Sequence, residues 1–317
     1  MVRQNESGGV LGGTHGGHTL RLADQLPRLR DELRLAMERL ESFGVLIDQQ
    51  SRLRAAESAL EQGITSHDLE SDSDRVTELV NAIEIAEDFG AISRSLPQTH
   101  EAETRHQLRR AVAGSLLSAD DDREPYRYQS QFWMGTILDS AGLHPTLPIV
   151  TDGGRKPDFI IQPLTTKYGA EVKRPMHEHN IATNVEKAVS QLEALGVEGL
   201  VTVDVSDCLR QVPVERYRNE VERLANEIDD VLWDSSANRH RGRFRRIFLV
   251  AAYARGKWLK GSRGSPTLWR VNYFYPTLLT YQHNRGQNLT TLAANQIWNA
   301  MRLAIAGADF EVTGGRR

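Results

Sequence analysis

The segment 155–175, RKPDFIIQPLTTKYGAEVKRP, carries charge in a strand-like context. Asp158 opens one apolar run, and Glu171 and Lys173 stand two residues apart in the next. Strand side chains alternate between faces, so Glu171 and Lys173 share one face while Ala170 and Val172 take the other. If the two runs pair through the connection QPLTTK, Asp158 approaches Glu171. Two carboxylates brought together repel unless a cation lies between them. Mg²⁺ suits such a pair, because it takes hard oxygen ligands and keeps waters that phosphate oxygens can replace. Lys173 could orient or activate the attacking water and offset charge on a phosphorane. The chemistry these residues can do together is metal-assisted hydrolysis of a phosphodiester. The plainer alternative is a pair of exposed edge strands with Glu171 and Lys173 as a surface ion pair.

The flanking sequence supplies elements to position them. YRYQSQFWMGTILDSAG (126–142) reads as an amphipathic helix closed by Gly142. HPTLPIV, PDFIIQ and YGAEVKR follow as short strands. A helix over 181–195 carries Ile181, Val185, Ala188, Leu192 and Leu195 on one stripe. GLVTVDVS is a buried strand with Asp204 in a structural place, VERYRNEVERLANEIDDVLW a charged helix, and RRIFLVAAYA another buried strand. Helix, three strands, helix, strand, helix, strand is the order of an α/β domain with a mixed sheet.

KPD at 156–158 and EVK at 171–173 resemble the two halves of the signature of the PD-(D/E)XK nuclease superfamily, the restriction-endonuclease-like fold. The resemblance spans about 120–260 through the element order, with identity confined to the motif. It implies that Asp158 and Glu171 bind Mg²⁺, with Mn²⁺ able to substitute, and that Lys173 lies near the water. Many relatives also place a Gln on the helix after the Lys strand, which implies a site role for Gln191 in NVEKAVSQLEAL; Leu195 stands where those relatives often carry Tyr. Some members draw an acid from the first helix. Here that helix offers Gln131 inward, and its acid Asp139 is near the far end. The implied activity is a metal-dependent endonuclease acting on nucleic acid, DNA rather than RNA. No Walker-type glycine loop is present, so the chain carries no nucleotide-driven motor, which suits a restriction or antiviral defence effector. The alternative is a catalytically inactive nuclease-fold subunit that binds nucleic acid or serves as a scaffold.

Charge is unevenly spread. The net charge is −3, yet 239–308 holds twelve of the 39 Lys and Arg and neither Asp nor Glu. The remainder has 27 basic residues against 42 acidic ones. Basic surface interleaved with aromatics grips phosphate backbones and stacks bases. Arg243, Arg245, Lys257, Lys260 and Arg263 are therefore expected to contact nucleic acid, with Trp258 in a basic loop ARGKWLKGSRGSP. The competing expectation is that these charges pair with the protein's own acidic surface. Arg174 and His177, leaving the catalytic strand directly, could also touch phosphate. Asp152 reads as a turn residue.

The N-terminal part reads as a separate region. Residues 1–20 look like a flexible leader, with His15 and His18 able to bind only stray metal. From Leu26 to Ile64, Leu26, Leu29, Leu33, Ala36, Leu40, Phe43 and Ile47 form a heptad seam on a long helix, which shifts after Gln50. Helices over about 71–92 and 101–117 complete an all-α hairpin or bundle over 21–120. It is expected either to serve homodimerisation or a protein partner, or to cap the main domain. The acidic stretch SADDDREP links it to a nuclease domain over 121–317. The single cysteine, Cys208, excludes an intrachain disulfide and a cysteine-rich zinc site, and fits a reducing cytoplasm. No apolar run approaches the ~20 residues that cross a bilayer, so no membrane is expected.

Overall fold

The computed structural model describes residues 18–65, 73–96, 102–116, 124–147, 156–162, 166–238, 247–260, 267–279 and 296–304. Strands β1 (His18–Arg21), β2 (Phe159–Ile161), β3 (Tyr168–Lys173), β4 (Gly199–Asp204), β5 (Ile247–Lys260) and β6 (Thr267–Leu279) form one sheet in the order β1-β6-β5-β4-β3-β2. β3 and β4 pair in parallel, as do β4 and β5, while the β2–β3, β5–β6 and β1–β6 pairs are antiparallel. The mixed sheet is the consequence of connection lengths. A short link joins β2 to β3, whereas helices α6 (Ile181–Leu195) and α7 (Val214–Asn238) make the crossovers that parallel neighbours require. Of the first expected strand, Thr146 makes an isolated antiparallel bridge to Ile160.

Both faces of the sheet are covered. Helix α5 (Glu124–Ser140) and a helix over 296–304 pack Met134, Ile137 and Trp298 on Ala170, Val172, Leu200 and Ala251. On the other face α6 and α7 set Val185, Val189, Leu192 and Leu224 against Val201, Val203 and Ala252. Burial on both sides explains why β4 is a continuous apolar run broken only by Thr202 and Asp204. Gly142 and Gly196 take left-handed φ values of 73° and 68° and stop α5 and α6 where the sequence predicts.

The N-terminal helices are α1 (Leu22–Ser42), α2 (Arg52–Thr65), α3 (Ser73–Arg94) and α4 (Ala102–Val112). The expected long helix over 26–64 is thus two helices. Gly44 adopts a left-handed φ of 89°, and the Val45 amide closes back on the Leu40 carbonyl, so the chain reverses there. The Arg30–Glu61 and Arg34–Glu57 ion pairs show the antiparallel arrangement. The shift in the seam after Gln50 marked the second limb of a hairpin. Their core of Leu26, Leu33, Leu53, Ile83 and Phe89 continues without a break into Tyr128 and Phe132 of α5 and Leu268 of β6. The helical region therefore caps the α/β part of the same molecule.

Two further expectations change. His18–Arg21 pairs with Arg270–Thr267 of β6, so the leader expectation does not hold for residues 18–20, and His15 lies outside the described residues. The basic loop around Trp258 is strand instead: β5 runs on to Lys260, paired with β6 throughout. Strand β6 itself was not expected. Among the described residues no helix is long and apolar enough to cross a membrane.

Candidate active site

Asp158, Glu171, Lys173 and Gln191 converge at one place. Asp158 precedes β2, and its Oδ2 accepts the Val172 amide at 2.8 Å, so β3's backbone fixes the carboxylate. Glu171 and Lys173 lie on the α6 face of β3, opposite Ala170 and Val172 in the α5 core. Lys173 Nζ donates to Glu171 Oε2 at 2.5 Å and to Gln191 Oε1 at 3.0 Å, and lies 4.0 Å from Asp158 Oδ2. The plainer surface-pair alternative does not describe this geometry, since Glu171 is fully buried and the Lys173 side chain is only 15% exposed.

Glycines allow the close fit. A Cβ on Gly199 would stand 2.3 Å from the carbonyl oxygen of Gly169, and one on Gly135 would stand 2.9 Å from the Phe159 ring. The first keeps β3 and β4 in tight parallel register; the second lets α5 settle on β2. Both neighbours are therefore fixed at the strands that present Asp158 and Glu171.

The electrostatics favour a cation. Burial, then the neighbouring Asp158 carboxylate, push the Glu171 carboxyl up to about 8, against the opposing pull of Lys173. Glu171 Oε1 is buried with no hydrogen-bond partner. A buried carboxylate oxygen left without a donor is costly, and a divalent ion between Asp158 and Glu171 would supply the missing partner. Among the described residues no group of three or more His, Cys, Asp or Glu side chains is placed to hold a metal. The two-carboxylate set fits Mg²⁺, which is content with one or two protein carboxylates plus water and phosphate oxygens.

Arg174 is placed differently from expectation. Its side chain is 1% exposed and bidentate to Asp207, at 2.7 and 3.0 Å, with Glu84 at 3.3 Å and Asp204 at 3.7 Å. Burial alone would lower its pKa, but Asp207, Asp204 and Glu84 outweigh that and hold it well above the usual arginine range. It anchors the end of β3 and does not reach solvent to touch phosphate. Lys257 is corrected for the same reason: its side chain is 8% exposed and bonded to Glu87 at 2.9 Å. Beside it Arg255 pairs with Asp88 and Glu84. Glu84, Glu87 and Asp88 are spaced three and four apart on α3, one helical face turned onto these cations. Here the basic stretch serves the protein's own acidic surface.

Arg243, Arg245, Arg263 and Asp152 lie outside the described residues, and Lys260 ends β5. Trp258 packs edge-on against Tyr217 at 4.7 Å and donates to the Val212 carbonyl, so it is a wall of the α7 core. His177 stacks on His179 at 5.4 Å beyond the strand end. Gln131 is buried and donates to Gln107 on α4 at 3.4 Å, and Asp139 is exposed beside His144. Cys208 is half-buried, its thiol pushed up to about 12 chiefly by burial.

Sequence reasoning missed the chain Gln131–Gln107–Glu103–Lys156. Glu103 Oε1 accepts Gln107 at 2.8 Å and Lys156 at 2.9 Å, so α4 reaches the residues just before Asp158. A signal was present in the i, i+4 spacing of Glu103 and Gln107, but the partner Lys156 is 53 residues away. In comparisons with known proteins, no family model, no curated protein and no solved structure matches this chain.

Proposed function

We propose that the chain is a divalent-metal-dependent endonuclease of the PD-(D/E)XK type, cutting nucleic acid, DNA rather than RNA, as a restriction or antiviral defence effector. The observation that carries the reaction is the convergence of Asp158, Glu171, Lys173 and Gln191 around a buried carboxylate oxygen without a donor. The element order helix, strands, helix, strand, helix, strand supports the same reading.

Asp158 and Glu171 would hold the ion, Mg²⁺ or Mn²⁺. When bound, it supplies Lewis-acid polarisation of the phosphate and lowers the pKa of water. Asp158 is preset by the Val172 amide, so its carboxylate needs little reorganisation. Lys173 presents an ammonium beside both carboxylates, able to position the attacking water and to oppose negative charge gathering on phosphorus. Gln191 holds that ammonium from the α6 side.

The test is incubation of purified protein with plasmid, linear duplex, single-stranded DNA and RNA, with Mg²⁺ or Mn²⁺. Internal cuts in DNA are expected, and none in excess EDTA or with Lys173→Ala. Robust cutting by Lys173→Ala, or in EDTA, overturns the assignment. No product from any substrate favours the inactive, nucleic-acid-binding or scaffold reading. For the defence role, wild type but not Lys173→Ala should protect a bacterial host from phage or prove toxic.

A further inference from the structure

We propose that the exposed face of α4 is the cradle for the substrate backbone, taking the place first assigned to the segment 239–308; this rests on the nucleic-acid reading of the site. α4 buries Thr104, Gln107, Leu108, Ala111 and Val112 along one side. The other side presents Arg105, His106, Arg109 and Arg110, two pairs four residues apart, with His106, Arg109 and Arg110 exposed and Arg105 half-buried. Residues four apart on a helix rise about 6 Å, close to the ~6.8 Å covered by two backbone steps of a nucleic-acid strand. One rigid helix can therefore meet alternate phosphates of one strand.

The contacts of Arg109 and Arg110 leave charge to spare. Arg109 donates to the carbonyl of Gly44, a neutral acceptor, at 3.0 Å. Arg110 bonds the Tyr128 hydroxyl at 2.9 Å and meets Glu124 at 3.3 Å, where both side chains remain over 40% exposed. This differs from Lys257 and Arg255, whose charges are buried against α3. Exposed, weakly compensated cations attract phosphate; buried, paired ones do not.

Position completes the argument. Glu103, in the first turn of α4, is bonded to Lys156, which precedes Asp158 by two residues. Two residues span at most about 7 Å of chain. A backbone lying along α4 thus runs past the start of β2, where Asp158 stands.

The test measures anisotropy of a labelled 30-base-pair duplex against salt, using full-length Lys173→Ala so that nothing is cut. Arg109→Gln/Arg110→Gln added to that chain should lower the log–log salt slope by about 1.8 units, ~0.9 per lost phosphate contact. Affinity at 0.1 M salt should drop at least tenfold. Arg216→Gln/Arg218→Gln, on exposed α7 side chains, should change neither. If circular dichroism shows the double variant unfolded, Arg109→Gln alone should lower the slope by about 0.9. A folded variant with wild-type slope and affinity overturns the cradle, as does a parent that binds no nucleic acid at low salt. An α4-dependent slope in a protein whose wild type never cuts would sustain the cradle and sink the nuclease reading, so the two failures are distinguishable.

Discussion

Lys173 Nζ is held between Glu171, at 2.5 Å, and the side-chain oxygen of Gln191, at 3.0 Å. An ammonium has three protons and no fixed direction; an amide oxygen from a different element gives it one. Gln191→Ala should leave the protein folded and lower cleavage about 10- to 100-fold, the usual loss when a supporting group is removed. A single-turnover rate equal to wild type would show that Gln191 does not position the lysine.

Lys173→Ala removes the only cation within 4.0 Å of both carboxylates among the described residues. Cleavage should fall by about 10²–10⁴, the range for a positioned proton-transfer or charge-stabilising group. Duplex affinity should change less than threefold, measured with metal present. Equal losses of binding and cutting would mean that Lys173 only holds substrate.

The raised Glu171 carboxyl gives a pH signature. Its folded pKa of about 8 exceeds the ordinary ~4.3 of an unfolded glutamate, so protonation favours the metal-free fold. That contribution is complete below about pH 4 and is lost as pH rises through about 8. The Tm of metal-free protein should therefore decline between about pH 5 and 8 and level off above, and Glu171→Gln should flatten the decline. Ligation needs the carboxylate, so Mg²⁺ should raise the wild-type Tm more at pH 8.5 than at pH 6.5. Parallel curves for wild type and Glu171→Gln would contradict this.

Asp88 and Arg255 join α3 to β5 in a buried pair extended by Gln129, which donates to Asp88 at 2.5 Å. Asp88→Ala should destabilise the protein by roughly 3–5 kcal/mol in urea unfolding, because it strands a buried guanidinium. Asp88→Leu combined with Arg255→Met should recover much of that loss. A cost below 1 kcal/mol for Asp88→Ala would mean that the pair is solvated in solution.

Gly199→Ala tests the strand register. The added Cβ would meet a backbone oxygen that cannot rotate away, so overpacking of about 1–3 kcal/mol is expected. Unchanged stability would show that β3 and β4 separate easily.

Much of the molecule was legible without coordinates where the signal is local. Gly142 and Gly196 end α5 and α6 at the predicted places, because a left-handed residue after the last turn is chemistry carried by that residue. The strand alternation of Glu171 and Lys173 against Ala170 and Val172 is equally local. Gln191 was singled out by the family resemblance and not by any local signal. The second limb of the hairpin was visible as a shift in the heptad seam after Gln50, yet a seam alone does not say whether the helix continues or turns back, and the break at Gly44 was not seen.

The sequence by itself determined which residues could do chemistry and the order of the elements from α5 to β5, since both follow from side-chain type and short-range periodicity. Only the tertiary structure decided which charges remain available. Lys257 and Arg174 read as phosphate contacts in the chain, yet they meet Glu87 and Asp207, 170 and 33 residues away, and are buried. The same long-range packing left Arg109 and Arg110 exposed on α4, whose Glu103 holds Lys156 just before Asp158. A charge's usefulness depends on its partners and its exposure to water, and neither is encoded within a few residues of it.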